Sequence, residues 1–589
     1  MNGESGLKNK NSIPRNKNII LVQALISSLA LWKHYGASPR DPFIVPLFFA
    51  LFYIFAYCRE RLEKKERTAS VLTGAVLSAL LTLGKLDIIL ADGNAVLWLP
   101  IRFIGFMILL SNTVLALFEK TRGACLTVSP DEYRDMSGKK RFLVFLYAFA
   151  AIYACFIVWL LCEYPGGVSP DSNNQLLQIT NQLPYSNHHP IAHTLLIRLL
   201  FNLGMLLSAG DQNFSAALCN GVQAAFLASS FAFLTETLYE MRIKKRVLVC
   251  VTAVFIILPY HGSFSVTMWK DVWFGGIVLV WCLSVARLLM KNTDKKKAPV
   301  FEAALFCVFS LAMCLFRGNG LYAYVLCTVG ILFVFRKKSL FIQLSSVAVL
   351  VLAFLITGPV YTYFGVLPTE CVEPFSMPIQ HISRAITEGA ELTPEESELI
   401  SKLIEPENIP QLYDPTLSDP VKEYIKLRGD TGYFSQHKSE YLKLWFSIGM
   451  REPGAYVRAQ VDQTRGYWYP DVSYWVMGSG QVVSVGMELE KDSKLPALSK
   501  LLNALTEHIE ALPFAGLIYS IGTGTWTLII LFAMCCVRCR KEYLILFVPV
   551  FAVLATILLA SPVFAEFRYV YSMFTTLPLL GVLPFCGEK

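Results

Sequence analysis

The sequence predicts an all-α, polytopic membrane protein, and three observations carry that prediction: composition, the lengths of the apolar runs, and the placement of basic residues. Of the 589 residues, 54% are hydrophobic and 16% charged, and the mean hydropathy is positive. Such a balance places most of the chain in a bilayer rather than around one water-soluble core. A spanning helix needs about 20 mainly apolar residues. About fourteen such stretches begin near residues 19, 43, 70, 97, 141, 213, 246, 272, 300, 319, 339, 514, 543 and 566. Lys and Arg concentrate in alternate loops, which orients the chain as a multi-pass protein of the cell membrane with both termini in the cytoplasm.

Residues 1–140 read as a four-helix extension. The first stretch, IILVQALISSLALW, follows the basic KNKNSIPRNK; it has signal-peptide character but no small-residue cleavage site, and is expected to remain as an anchor. Residues 141–360 read as a membrane core with an outer loop at 163–212. Within that loop Pro190 to Gly210 is apolar enough to cross, but crossing would put the basic turn RIKKR at 242–246 outside. The segment 191–207 is therefore expected to lie on the outer surface as an interfacial helix, with Ile191, Leu195, Leu199 and Leu203 on one stripe and Pro190 at its first position. Residues 361–513 are too long and too polar for a loop and read as an inserted, α-rich extracellular domain with 22 acidic against 13 basic residues. Residues 514–589 close the chain with three membrane helices. The net charge of +8 thus belongs to the inner loops, where it suits lipid contact and gives no support to nucleic-acid binding. The fifteen cysteines lie mostly in spans or on the basic side and suggest no disulfide framework; Cys536 and Cys539 read as juxtamembrane residues.

The polar outliers converge on the outer face. Asp171 follows a membrane stretch, among Ser169, Ser172, Asn173, Asn174 and Gln175, whose amides and hydroxyls suit contacts to a sugar or polar headgroup, in a segment without Lys or Arg between Glu163 and His189. A partly desolvated carboxylate there would have a raised pKa and could accept a proton from an acceptor hydroxyl; the alternative is a helix cap. His188, His189 and His193 suit polar or phosphate contacts near helix-terminal amides, with metal ligation the second reading. Arg317 in FRGNG is the expected clamp for a phosphate, with Lys270 and Arg568 sharing the charge. Lys270 and Asp271 could instead pair with each other. Tyr467, Trp468 and Trp475 are expected to offer ring faces to a glycan.

An aspartate soon after a span, followed by an interfacial helix opening with His189-Pro190, resembles the C-type (GT-C) membrane glycosyltransferases, the group that includes protein mannosyltransferases and the lipid A aminoarabinose transferase. Within it the chain looks closest to uncharacterised multispanning members of Gram-positive bacteria. The resemblance implies a GT-C-like fold and transfer of a sugar, with inversion, from a polyprenyl-phosphate donor to a glycan, lipid or protein acceptor outside the cell. Asp171 takes the position of the catalytic aspartate. Ser172 stands where the family usually has a second acid, four spans precede the loop rather than one, and the outer domain is inserted rather than appended. No cofactor is demanded, and assistance by a divalent metal stays open. A transporter or flippase of a lipid-linked glycan is the alternative; it would keep ionisable or helix-breaking residues near the bilayer midplane, where Arg102 and a few glycines and prolines stand.

Overall fold

A computed structural model describes residues 17–36, 38, 40–57, 63–90, 93–129, 137–291, 299–472, 474–476, 480–512 and 514–586. Most of the basic N-terminal run, the extreme termini and the connector at 292–298 lie outside the described residues. The described chain is helical, with isolated bridges and no strands. It divides into two compact units, residues 1–124 with 529–538, and residues 125–528 with 539–589.

The first unit contains the helices Lys17–His34, Ile44–Tyr57, Lys64–Leu83 and Ala95–Lys120. Small residues let these helices approach closely. A Cβ on Gly105 would lie 2.5 Å from that of Ala30, and Ser27 Oγ donates to the Gly105 carbonyl at 3.1 Å. At Lys64–Leu83 a capping box joins Glu63 and Glu66, and Arg122 meets the Glu66 carboxylate at 2.7 Å.

The second unit is built around the helix Lys270–Lys291, buried along nearly its whole apolar length. Gly138–Cys162, Gln212–Glu240, Val300–Leu315, Gly318–Val334, Leu340–Leu355, Val548–Ala560 and Tyr571–Val582 are further long elements of this unit. Ionic contacts tie one end of several of these helices together. Arg287, 3% exposed, reaches Glu236 at 2.5 Å, Glu240 at 3.1 Å and Glu302 at 3.2 Å, while Arg141 reaches Glu236 and Glu240. The helix Lys245–Ile257 bends by 61° into Pro259–Ser265, where Pro259 has no amide to continue the ladder.

Helices occupy each of the apolar stretches read from the sequence, but among the described residues seven are long and apolar enough to cross a membrane, or eight with the bent pair. Length accounts for part of the difference. Val300–Leu315 and Gly318–Val334 have 16 and 17 residues, which at about 1.5 Å per residue fall short of a hydrocarbon core about 30 Å thick.

Ile191–Leu207 forms the expected helix, with Pro190 at its N-cap rather than its first turn. His193, Ile197 and Phe201 are buried, and Leu195, Leu199 and Leu203 point outward. Ile191 departs from that outward stripe and is buried. From Glu373 to Tyr467 the chain forms short helices around their own apolar core, which includes Ile400, Ile425, Phe434, Leu444 and Ile448. Within the second unit its glutamines reach the end of an apolar helix: Gln460 Nε2 donates to the Leu558 carbonyl at 2.8 Å and Gln463 Nε2 to that of Ser561 at 3.2 Å.

Candidate active site

The loop that follows Gly138–Cys162 is held on both sides. Glu163, buried, accepts from Lys491 at 2.5 Å and from Ser499 at 3.0 Å. Gly166 has φ +97°, and a Cβ there would lie 2.3 Å from Asn220, so both conformation and space call for glycine. Gly167 pairs with Thr267 and Val168 with Val482 in isolated parallel bridges. The next helix, Pro170–Ile179, is capped by Ser169, whose side chain accepts from the Ser172 amide, and Ser172 Oγ donates to the Met268 carbonyl. Asp171 therefore stands in the first turn and is not the cap.

The Asp171 carboxylate turns instead to two cations from distant parts of the chain. Arg568 Nη1 donates to Oδ2 at 2.9 Å, and Lys270 Nζ stands 3.4 Å from the same oxygen. Lys270 Nζ also donates to His189 Nδ1 at 3.0 Å, so that ring nitrogen acts as an acceptor. Arg568 packs over the rings of Trp269 and Tyr569, both at 5.3 Å, a position that suits a weakly hydrated guanidinium.

These charges reverse the pKa expected from sequence. Burial pushes the Asp171 carboxyl up, but Lys270 and Arg568 together outweigh it and hold the group well below the usual carboxylate range. Burial, reinforced by Lys270, keeps His189 neutral, with its pKa lowered to about 3, and burial lowers His193 likewise to about 3. Glu566, 3.6 Å from Arg568 Nε, is raised by burial more than its cationic neighbour lowers it.

The pairings of Arg317 and Asp271 also differ from those expected. Lys270 and Asp271 do not pair with each other. Asp271, 1% exposed, stands 3.1 Å from Arg317 Nη1, because adjacent positions at a helix start project in different directions. Arg317 is itself 8% exposed, donates to the Tyr569 carbonyl at 2.6 Å and lies over the rings of Tyr569 and Phe274. It supports the backbone next to Arg568 and is too enclosed to act as an open phosphate clamp, so Lys270 and Arg568 are the cations at Asp171.

The expected substrate contacts separate into two groups. Gln175 and His193 are buried and bond each other at 3.0 Å, with Gln175 also donating to Thr194 at 2.8 Å, so they brace one helix against the next. Asn174 accepts from Gln178 at 2.9 Å, and His188 is exposed with its ring against that of His189. Tyr467 is fully buried, its hydroxyl within 3.2 Å of Ser561 Oγ and the Val563 carbonyl. Trp468 is buried with its indole donating to Thr464. The GYWYPD run packs against residues 561–565 at its start and against 520–526 further on, instead of presenting ring faces. Trp475, 53% exposed, lies 6.2 Å from Trp269 and so overlooks the cluster.

Sequence reasoning assigned no role to Glu566, Tyr569 or Trp269. The run SPVFAEFRY held the signal for two of them, an acid two residues before Arg568 and an aromatic directly after it. Among the described residues no three His, Cys, Asp or Glu side chains group to hold a metal ion. What the cluster can do chemically is hold an ionised carboxylate beside two cations, one on a lysine stem and one stacked on aromatic rings.

A family profile described as a family of unknown function (DUF6020) matches residues 179–588. No curated protein and no solved structure matches the chain. The match covers more than half of the chain, which therefore belongs to that family.

Proposed function

We propose that this member of the DUF6020 family is a membrane glycosyltransferase that moves a sugar from a polyprenyl-phosphate donor to a cell-envelope acceptor on the outer face. The observation that carries the reading is the Asp171 carboxylate held by Lys270 and Arg568, beside helices long and apolar enough to cross a membrane. In this reading the core is of the C-type, the shorter helices complete about fourteen spans, the termini are cytoplasmic and the segment 361–513 is extracellular.

The mechanism follows from charge exchange. A donor phosphate reaching the cluster competes for Lys270 and Arg568, whose loss from Asp171 raises the proton affinity of that carboxylate. Asp171 then takes the proton from the acceptor hydroxyl as its oxygen bonds to the anomeric carbon. The bond from that carbon to the phosphate oxygen breaks with inversion, and polyprenyl phosphate departs with its charge held by Lys270 and Arg568. Neutral His189 keeps Lys270 directed at the cluster, and Trp475 offers its exposed face to the acceptor sugar.

Binding of undecaprenyl phosphate to the purified protein, followed by native mass spectrometry, tests the donor half of the reading. Lys270→Gln and Arg568→Gln should each weaken retention by about tenfold, the weight of one charge-assisted contact, with Lys500→Gln, at an exposed lysine outside the cluster, as the unaffected control. Equal retention by all four proteins contradicts the assignment.

A further inference from the structure

The consecutive helices Lys438–Arg451 and Pro453–Thr464 bury Tyr441, Leu444, Ile448 and Ala455 in the core of their segment. Their outward face is also apolar. Leu442, Phe446 and Met450 recur every fourth residue and are 46%, 63% and 68% exposed, forming a line about 12 Å long. Val457 extends apolar exposure into the next helix. Lys438 and Lys443 are exposed on the same helix. Contiguous apolar exposure of this kind marks a surface that meets something other than water.

The attachment of the second helix identifies the occupant. Gln460, one turn after Val457, donates to the carbonyl of Leu558, in the last turn of Lys541–Ala560, which is long and apolar enough to span a membrane. Leu559, next in sequence, is 75% exposed. The apolar line thus begins where the apolar surface of a membrane helix ends, and lysines accompany it. We propose that this face is a membrane foot: Leu442, Phe446, Met450 and Val457 enter the headgroup boundary of the bilayer, and Lys438 and Lys443 meet anionic lipid phosphates. An amphipathic helix with aromatic and aliphatic residues on one face and basic residues beside them binds lipid in this way. The inference requires a bilayer around Lys541–Ala560 and is independent of any sugar transfer.

Photocrosslinking of the full chain in vesicles of phosphatidylglycerol and phosphatidylethanolamine tests it. Phe446→p-benzoylphenylalanine and Val457→p-benzoylphenylalanine keep large apolar side chains at exposed positions, so folding is retained. The same replacement at Glu398, whose side chain is 78% exposed, is the control. After irradiation, lipid adducts are expected at 446 and 457 and not at 398. Replacing both lysines, Lys438→Gln with Lys443→Gln, should shift the adducts several-fold from phosphatidylglycerol towards phosphatidylethanolamine. Crosslinks from 446 to a second copy or another protein, or no adduct at either foot position, would overturn the proposal.

Discussion

At the scale of single residues, the ion pairing of Asp171 has a consequence for acid stability. A carboxyl whose folded pKa is depressed contributes stability that is fully present above its unfolded value, about 3.9, and is lost as pH falls through the folded value. The native protein is therefore expected to lose thermal stability on acidification more steeply than Asp171→Asn, with the two curves converging below about pH 4. Unfolding temperatures in detergent across that range check this, and parallel curves would mean that Asp171 is unpaired. Gly166 permits a second prediction. Its left-handed φ and its 2.3 Å approach to Asn220 mean that Gly166→Ala costs about 1–3 kcal/mol of stability from the backbone conformation alone. The drop in unfolding temperature should be absent for Gly138→Ala, whose added Cβ meets open space.

At the scale of elements, the buried Asp271–Arg317 pair joins the start of Lys270–Lys291 to the start of Gly318–Val334 and, through the Tyr569 carbonyl, to the segment carrying Arg568. Removing one partner leaves the other charge buried without compensation, so Asp271→Asn should destabilise by about 3–5 kcal/mol. Asp171→Asn, at a more open pair, should cost much less; equal losses would show that the two pairs are equally exposed to solvent. The chemical character of this cluster was legible in the sequence because aspartate, lysine and arginine are costly beside apolar helices and stand out there. Its pairings were not legible. Lys270 and Asp271 are neighbours in the chain, yet their side chains reach Asp171 and Arg317 respectively, since partner choice depends on elements about 50 to 100 residues away. Tyr467 and Trp468 misled for a related reason: an aromatic run in a polar segment gives no sign of the residues at 520–526 and 561–565 that pack on it.

At the scale of the whole molecule, helix positions were legible because apolar runs of this length have no other stable conformation in lipid. The lengths of the helices were not, because a run of apolar residues does not reveal where Pro259 bends a helix or where Val300–Leu315 ends. Sidedness gives a topological prediction. Reporter fusions after residue 390 should report the outside of the cell and fusions after residue 295 the cytoplasm; the same side for both would exclude the proposed orientation. The central claim concerns Asp171 as the base in sugar transfer, and the most direct measurement is mass spectrometry of surface glycans and glycolipids from cells lacking the protein, complemented with the native chain or with Asp171→Asn at equal abundance. The account predicts that the native chain restores a missing sugar and that the variant restores less than about a hundredth of it. Equal restoration by both would contradict the assignment of Asp171 and turn attention to transport of a lipid-linked glycan.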